Sequence, residues 1–227
     1  KTGSNLILST GMSNMREISE ALSFLCFGFL SRTKDLGWPT KKALNFAINE
    51  PKAIRFLKNK VVLLHCTSQY PAPFTDINLE ALNTLKKKFG LAVGYSDHSE
   101  GILVPIIATT MGAQVIEKHI TLDRSLPGPD HSSSLDPSDF KIMVENIRSV
   151  SVIKGSGKKV ITESEKANKL LVRKSLVAIK DIKEGEHFTV LNLGCKRPGK
   201  GLEPRKYWKL LGKKAKKQYR IDDEIYL

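Results

Sequence analysis

Val61-Val-Leu-Leu-His-Cys66 opens with four apolar residues, two of them β-branched, and ends in an imidazole and a thiol. After a Pro-containing loop, Leu79, Leu82, Leu85 and Phe89 recur at the spacing of one helical face, and Leu91 to Tyr95 is the next apolar run. The passage predicts strand, helix, strand, and the intervening helix lets the second strand run parallel to the first. The same unit lies to either side. Upstream, Leu6-Ile7-Leu8 precedes Met15, Ile18, Leu22 and Leu25 at helix spacing. Downstream, the run ending at Tyr95 leads into an apolar helix from about residue 103 to 111. Val115-Ile116 then leads through a Pro/Gly-rich loop into Phe140, Met143, Val144, Ile147 and Val150. Four βα units result, which predicts an α/β fold with a parallel sheet covered by helices, doubly wound or closed as a barrel. Periodicity leaves both open.

Composition narrows the class. The 227 residues are 41% hydrophobic, enough for one large or two ordinary domains and against intrinsic disorder. The longest apolar run, Ala21 to Leu30, is about half of the roughly 20 residues that a membrane-spanning helix needs. It also lies too far along the chain to resemble a signal peptide, and the expectation is a cytoplasmic protein without membrane partners. Cys26, Cys66 and Cys195 have neither C-x-x-C spacing nor an even count, which supports no disulfide framework or zinc ribbon and fits a reducing compartment. The net charge of +14 is uneven: residues 1–150 carry +3 and residues 151–227 carry +11. Such a field can steer an anionic substrate, attract nucleic acid or keep the protein soluble. The stretch from Lys206 to Arg220 mixes aromatic with basic residues, but no nucleic-acid motif surrounds it, and Trp208, Leu210 and Leu211 read as anchors of a short packed helix.

A polar, Gly-containing segment from Gly155 marks a domain boundary. The reading is a domain over 1–154, a linker over 155–172 and a small β-rich domain over 173–227. Ser175-Leu-Val-Ala-Ile and His187-Phe-Thr-Val are its expected strands, and residues 179–186 and 219–225 share a weak pseudo-repeat.

In parallel α/β folds, chemistry gathers at the carboxyl ends of strands, where this chain has Ser9-Thr10-Gly11, His65-Cys66-Thr67, Ser96-Asp97-His98 and Lys118-His119. His65 and His98 follow successive strands and are expected to face each other across the mouth, where paired imidazoles can bind a metal; hydrogen-bonded structural histidines are the other reading. Glu117-Lys118-His119 leaves two readings: Lys118 or His119 orients a substrate, or alternate side chains merely enter the helix–strand space. Cys66 next to His65 could suggest a nucleophile, but neighbours in a strand point to opposite faces, which speaks against that reading.

Taken in order, Ile7-Leu-Ser-Thr-Gly-Met, Leu63-Leu-His-Cys-Thr-Ser-Gln-Tyr-Pro-Ala-Pro, Gly94-Tyr-Ser-Asp-His, Val115-Ile-Glu-Lys-His-Ile-Thr and Pro127-Gly-Pro-Asp-His strongly resemble the sialic acid synthase family. Arg173-Lys-Ser-Leu-Val-Ala and Cys195-Lys-Arg-Pro-Gly-Lys-Gly resemble the SAF (antifreeze-like) domain at that family's C-terminus, so the resemblance covers essentially the whole chain. It implies a partial (βα)8 TIM barrel, the last four βα units, followed by the SAF domain; the family's first four strands have no counterpart here. It also implies a nonulosonic acid synthase that condenses phosphoenolpyruvate with an N-acetylmannosamine-type sugar. Carried over by position, His65 and His98 are the expected catalytic ligands of a divalent metal, manganese or magnesium. Ser9 is expected near phosphoenolpyruvate, Tyr70 and Asp130 near the sugar, and Arg197 at the sugar's N-acyl group, delivered from the partner subunit of a domain-swapped homodimer. The rival reading is a non-catalytic carbohydrate-binding or interaction fragment.

Overall fold

The computed structural model describes residues 4–226, which fall into two compact units divided between Gly157 and Lys158. In the first unit the strands are β1 (Leu6–Ser9), β2 (Val61–Cys66), β3 (Ala92–Asp97) and β4 (Ile116–Lys118). All three pairings are parallel and the order is β1-β2-β3-β4, giving a curled half-barrel sheet. Helices α1 (Met15–Leu30), α2 (Lys41–Asn49) and α3 (Pro51–Lys60) join β1 to β2. The short α4 (Phe74–Ile77) and α5 (Ala81–Phe89) follow β2, α6 (Leu103–Thr110) follows β3, and α7 (Pro137–Lys154) follows β4.

Local chemistry explains the element ends. Asn14 caps α1 by accepting from the backbone N–H groups of Arg16 and Glu17, while the Glu17 carboxylate accepts from the Asn14 N–H. Pro51 begins α3, where its missing N–H costs nothing. The long β1–β2 connection is the α2–α3 pair, held by Ala47 and Ala53, both fully buried, and by a Phe29–Phe56 stack at 4.3 Å.

The register fixes which side chains share a face, because paired residues of parallel strands point the same way. Leu63, Val93 and Tyr95 face the helices and pack with Ile18, Leu22, Cys26, Leu82 and Leu85 in the main core. Burial of each large side chain there contributes about 1.5–3 kcal/mol. Ile7, Ser9, Val62, Leu64, Cys66, Gly94, Ser96 and Glu117 take the opposite, concave face. Ile7 on that face is 58% exposed.

The second unit contains α8 (Glu163–Val172), β5 (Ser175–Ala178), β6 (Leu193–Lys196) and α9 (Tyr207–Leu210). β5 and β6 pair antiparallel over a core that includes Leu176, Ile182, Phe188, Leu193 and Ile225. The segment read as a linker thus contains a helix, begun by Thr162 with Glu165 in a capping box. Residues 187–190 form no strand: His187 makes one bridge to Lys214, and the chain turns before β6. The two pseudo-repeat segments meet each other, with Ile182 and Tyr219 exchanging backbone hydrogen bonds of 2.8 and 2.9 Å. Leu210 is buried as expected, but Trp208 is 79% exposed, its ring edge-on to that of Tyr207 at 5.2 Å. Among the described residues no helix is long and apolar enough to cross a membrane.

Candidate active site

At the carboxyl ends of β2, β3 and β4, four side chains converge on the concave face. His98 is 7% exposed; its Nδ1 lies 2.8 Å from the Thr67 carbonyl and its Nε2 lies 3.1 Å from the Tyr70 hydroxyl. A carbonyl only accepts, so Nδ1 carries a proton, and in that tautomer Nε2 is the atom that faces the Tyr70 hydroxyl. The two rings lie 4.1 Å apart at 33°. The His119 ring stands edge-on to both, 5.4 Å from each, and its Nδ1 is 3.8 Å from an Asp130 carboxylate oxygen.

Backbone ties hold these groups in place. The Ala72 N–H donates to the His98 carbonyl at 2.9 Å, fixing the loop that carries Tyr70. Ile120 and Leu135 form a parallel bridge beside His119, and the Leu135 N–H donates to the His119 carbonyl at 3.0 Å. That bridge closes the base of the loop bearing Asp130, whose own carbonyl accepts from the hydroxyls of Ser133 and Ser134. Burial first, then the neighbouring Cys66, Asp130 and Glu117, push the Tyr70 phenol above its ordinary pKa, so it remains a donor at neutral pH. Glu117 on the same face accepts from the Ser96 hydroxyl at 2.6 Å.

The expected residues do not all meet. Ser9, exposed at the end of β1, shares the concave face with Ile7 and pairs with Leu64. Tyr70, His98 and Asp130 gather as described. His65 does not join them: it pairs with Tyr95 on the helix-facing side, its Nε2 donates to the Ile77 carbonyl at 2.7 Å, and its ring lies 5.8 Å from that of Tyr95. The correction follows from strand parity. Cys66, not His65, takes the concave face, with its Sγ 3.8 Å from His98 Nδ1. The partner of His98 is therefore His119. The alternation along Glu117-Lys118-His119 could have indicated it once Glu117 was known to face the mouth, since residues two apart share a face.

Arg197 lies in the second unit, exposed just after β6. Its loop is braced at Pro198, whose carbonyl accepts from Ser175 Oγ at 3.1 Å, and at Lys200, whose N–H donates to Glu224 at 3.1 Å. A side chain at Gly199 would come within 2.6 Å of the Arg173 carbonyl, so the close approach needs glycine.

Among the described residues no group of three or more His, Cys, Asp or Glu side chains could hold a metal by itself. His98 and His119 nevertheless fit a two-imidazole site. The His98 Nδ1–H is committed to a backbone carbonyl, which aims the Nε2 lone pair at the mouth; an ion there would take the place of the Tyr70 hydroxyl on Nε2, and oxygens of substrate and water would have to supply the remaining positions. His65 cannot share it, being committed to Ile77 across the sheet.

Comparison with known proteins matches the chain to the NeuB family over residues 1–159 and to the SAF domain over residues 173–225. It is 43% identical over 225 residues to the N,N'-diacetyllegionaminic acid synthase of Campylobacter jejuni, covering 99% of this chain and 60% of that relative. It is 45% identical over 165 residues to the pseudaminic acid synthase of the same species, covering 73% of this chain and 48% of the relative. Among solved structures, the N-acetylneuraminic acid (sialic acid) synthetase of Leptospira borgpetersenii superposes with a TM-score of 0.51 at 33% identity, over 73% of this chain and 48% of that one. The chain thus spans 60% or less of the length of each of these relatives.

Proposed function

Because this chain belongs to the NeuB family and continues into a SAF domain, we propose that it forms part of a nonulosonic acid synthase joining phosphoenolpyruvate to an N-acylated mannosamine-type sugar. In this reading the four-stranded sheet is the later half of an eight-stranded (βα) barrel. The observation that carries the proposal is the convergence of His98, His119, Tyr70 and Asp130 at the strand ends, in a chain 43% identical to a legionaminic acid synthase.

The chemistry asks for what these residues offer. A divalent ion, manganese or magnesium, held by His98 and His119 would supply Lewis-acid polarisation of the sugar aldehyde. Tyr70 and Asp130, one a donor and the other an acceptor, bind sugar hydroxyls and turn the carbonyl carbon toward C3 of phosphoenolpyruvate. Ser9 donates to the phosphoenolpyruvate oxygens from the adjacent strand end. Carbon–carbon bond formation leaves positive character at C2; water adds there, a carboxylate at the mouth takes its proton, and phosphate leaves with C–O cleavage. Arg197 directs its N–H donors at the N-acyl carbonyl, from the partner subunit of a homodimer.

The test is made on the full-length polypeptide that contains these residues. Arg197→Ala should raise the apparent KM for the sugar roughly tenfold or more, the loss of one hydrogen bond from a charged donor, and leave the KM for phosphoenolpyruvate unchanged. Mixing it with His98→Ala, under conditions of subunit exchange, should restore activity beyond the sum of the two. An unchanged sugar KM would remove Arg197 from the site, and a simple sum would remove the shared dimer.

A further inference from the structure

We propose that Lys118 is a positioning residue, an ammonium on the far side of the sheet that holds the strand ends bearing His98 and His119 in their facing arrangement. Asp97 and Lys118 are register partners on β3 and β4 and share the helix-facing side, while Ser96 and Glu117, one step earlier, share the concave side. Both charged side chains are almost wholly buried, 0% and 1% exposed. Lys118 Nζ donates to Asp97 Oδ2 at 2.7 Å and also to the Ser99 carbonyl. The other oxygen, Asp97 Oδ1, accepts from the Ser99 N–H at 3.0 Å and from the Ser99 hydroxyl at 2.7 Å.

These contacts close on residues 97 and 99, so the residue they enclose is His98. The same lysine directly precedes His119 in the chain. One buried side chain therefore ties together the backbone from which both imidazoles spring. It cannot touch a ligand at the mouth, because it leaves the strand on the opposite face. Stability alone gives weak reason for such a pair, since two desolvated charges commonly do no better than an apolar pair of similar volume. A fixed turn geometry, which apolar contacts would define less sharply, is what the pair adds. The functional consequence rests on the synthase reading given above; the structural claim does not.

The experiment uses histidine-selective ¹⁵N labelling and long-range ¹H–¹⁵N spectra, with the His98 signals assigned through His98→Gln. Lys118→Met leaves the Asp97 carboxylate buried without its cation, so this variant alone could fail to fold. Lys118→Met combined with Asp97→Asn removes both charges and keeps an acceptor for Ser99. In the parent protein His98 should be the Nδ1–H tautomer. In the folded double variant it should lose that preference, and turnover should fall about 10–100-fold, the range for residues that orient a ligating histidine. A folded double variant that keeps the Nδ1–H tautomer would overturn the proposal and leave the pair a structural contact only. A tautomer change in a protein that makes no nonulosonic acid would uphold the proposal and instead overturn the synthase reading.

Discussion

Replacing His98 or His119 with Ala is expected to lower turnover of the full-length polypeptide by at least about 10²-fold, the lower end of what one positioned imidazole contributes. His65→Gln is expected to turn over at close to the parent rate. The contrast follows from geometry. The rings of His98 and His119 are 5.4 Å apart on the concave face, whereas His65 is tied to the Ile77 carbonyl on the helix side. His65→Gln should cost about 1 kcal/mol of stability, the usual net worth of a hydrogen bond, with little effect on catalysis. The check is steady-state kinetics after chelator treatment and resupply of manganese, with melting curves for all three variants. A collapse of the His65 variant alongside a fully active His119 variant would reverse the assignment.

Gly94→Ala is expected to cost about 3 kcal/mol or more, the upper range for overpacking a close-packed interior. A Cβ there would stand 2.5 Å from Leu64 Cδ2, 2.5 Å from the Val115 carbonyl oxygen and 3.0 Å from Val115 Cβ. Leu64 could rotate, but the Val115 carbonyl accepts from the Tyr95 N–H at 2.9 Å and is held by the sheet. The substitution must therefore part β3 from the chain entering β4, next to the site. Gly28 is the control: it is exposed in the interior of α1 and a Cβ there meets nothing within 4 Å. Gly28→Ala should stabilise by about 0.5–1 kcal/mol, through the unfolded chain's lost freedom and better helix propensity. Urea denaturation of the two variants reads both signs in one experiment; equal midpoints would contradict the packing argument.

The order of the βα units was legible because apolar runs and helical spacing report burial directly, as with Leu63 and Leu64 in β2 or Leu82 and Leu85 in α5. The α2–α3 pair was not legible. Its helices are short, begun by Thr40 and Pro51, and rest on tertiary contacts such as the Phe29–Phe56 stack, which no local pattern announces. The site was half legible. Residue types at the strand ends pointed to Ser9, His98 and the His119 segment, and the resemblance pointed to Tyr70 and Asp130, as candidates. Which face each side chain takes depends on strand parity, and β2 is buried on both sides near its end, so composition does not distinguish His65 from Cys66. Trp208 misled for a related reason: a large aromatic beside Leu210 in a four-residue helix resembles an anchor, yet Tyr207 and Leu210 pack on the core while Trp208 turns outward.

The most direct measurement supplies the full-length polypeptide with phosphoenolpyruvate labelled with ¹⁸O at the bridging oxygen, together with an N-acylated mannosamine-type sugar, and follows phosphate and the nonulosonic acid by mass spectrometry. The account predicts phosphate release that requires the sugar, matches the acid formed mole for mole and carries the bridging ¹⁸O into phosphate. Phosphate released at the same rate without sugar, or ¹⁸O retained in the acid, would contradict it.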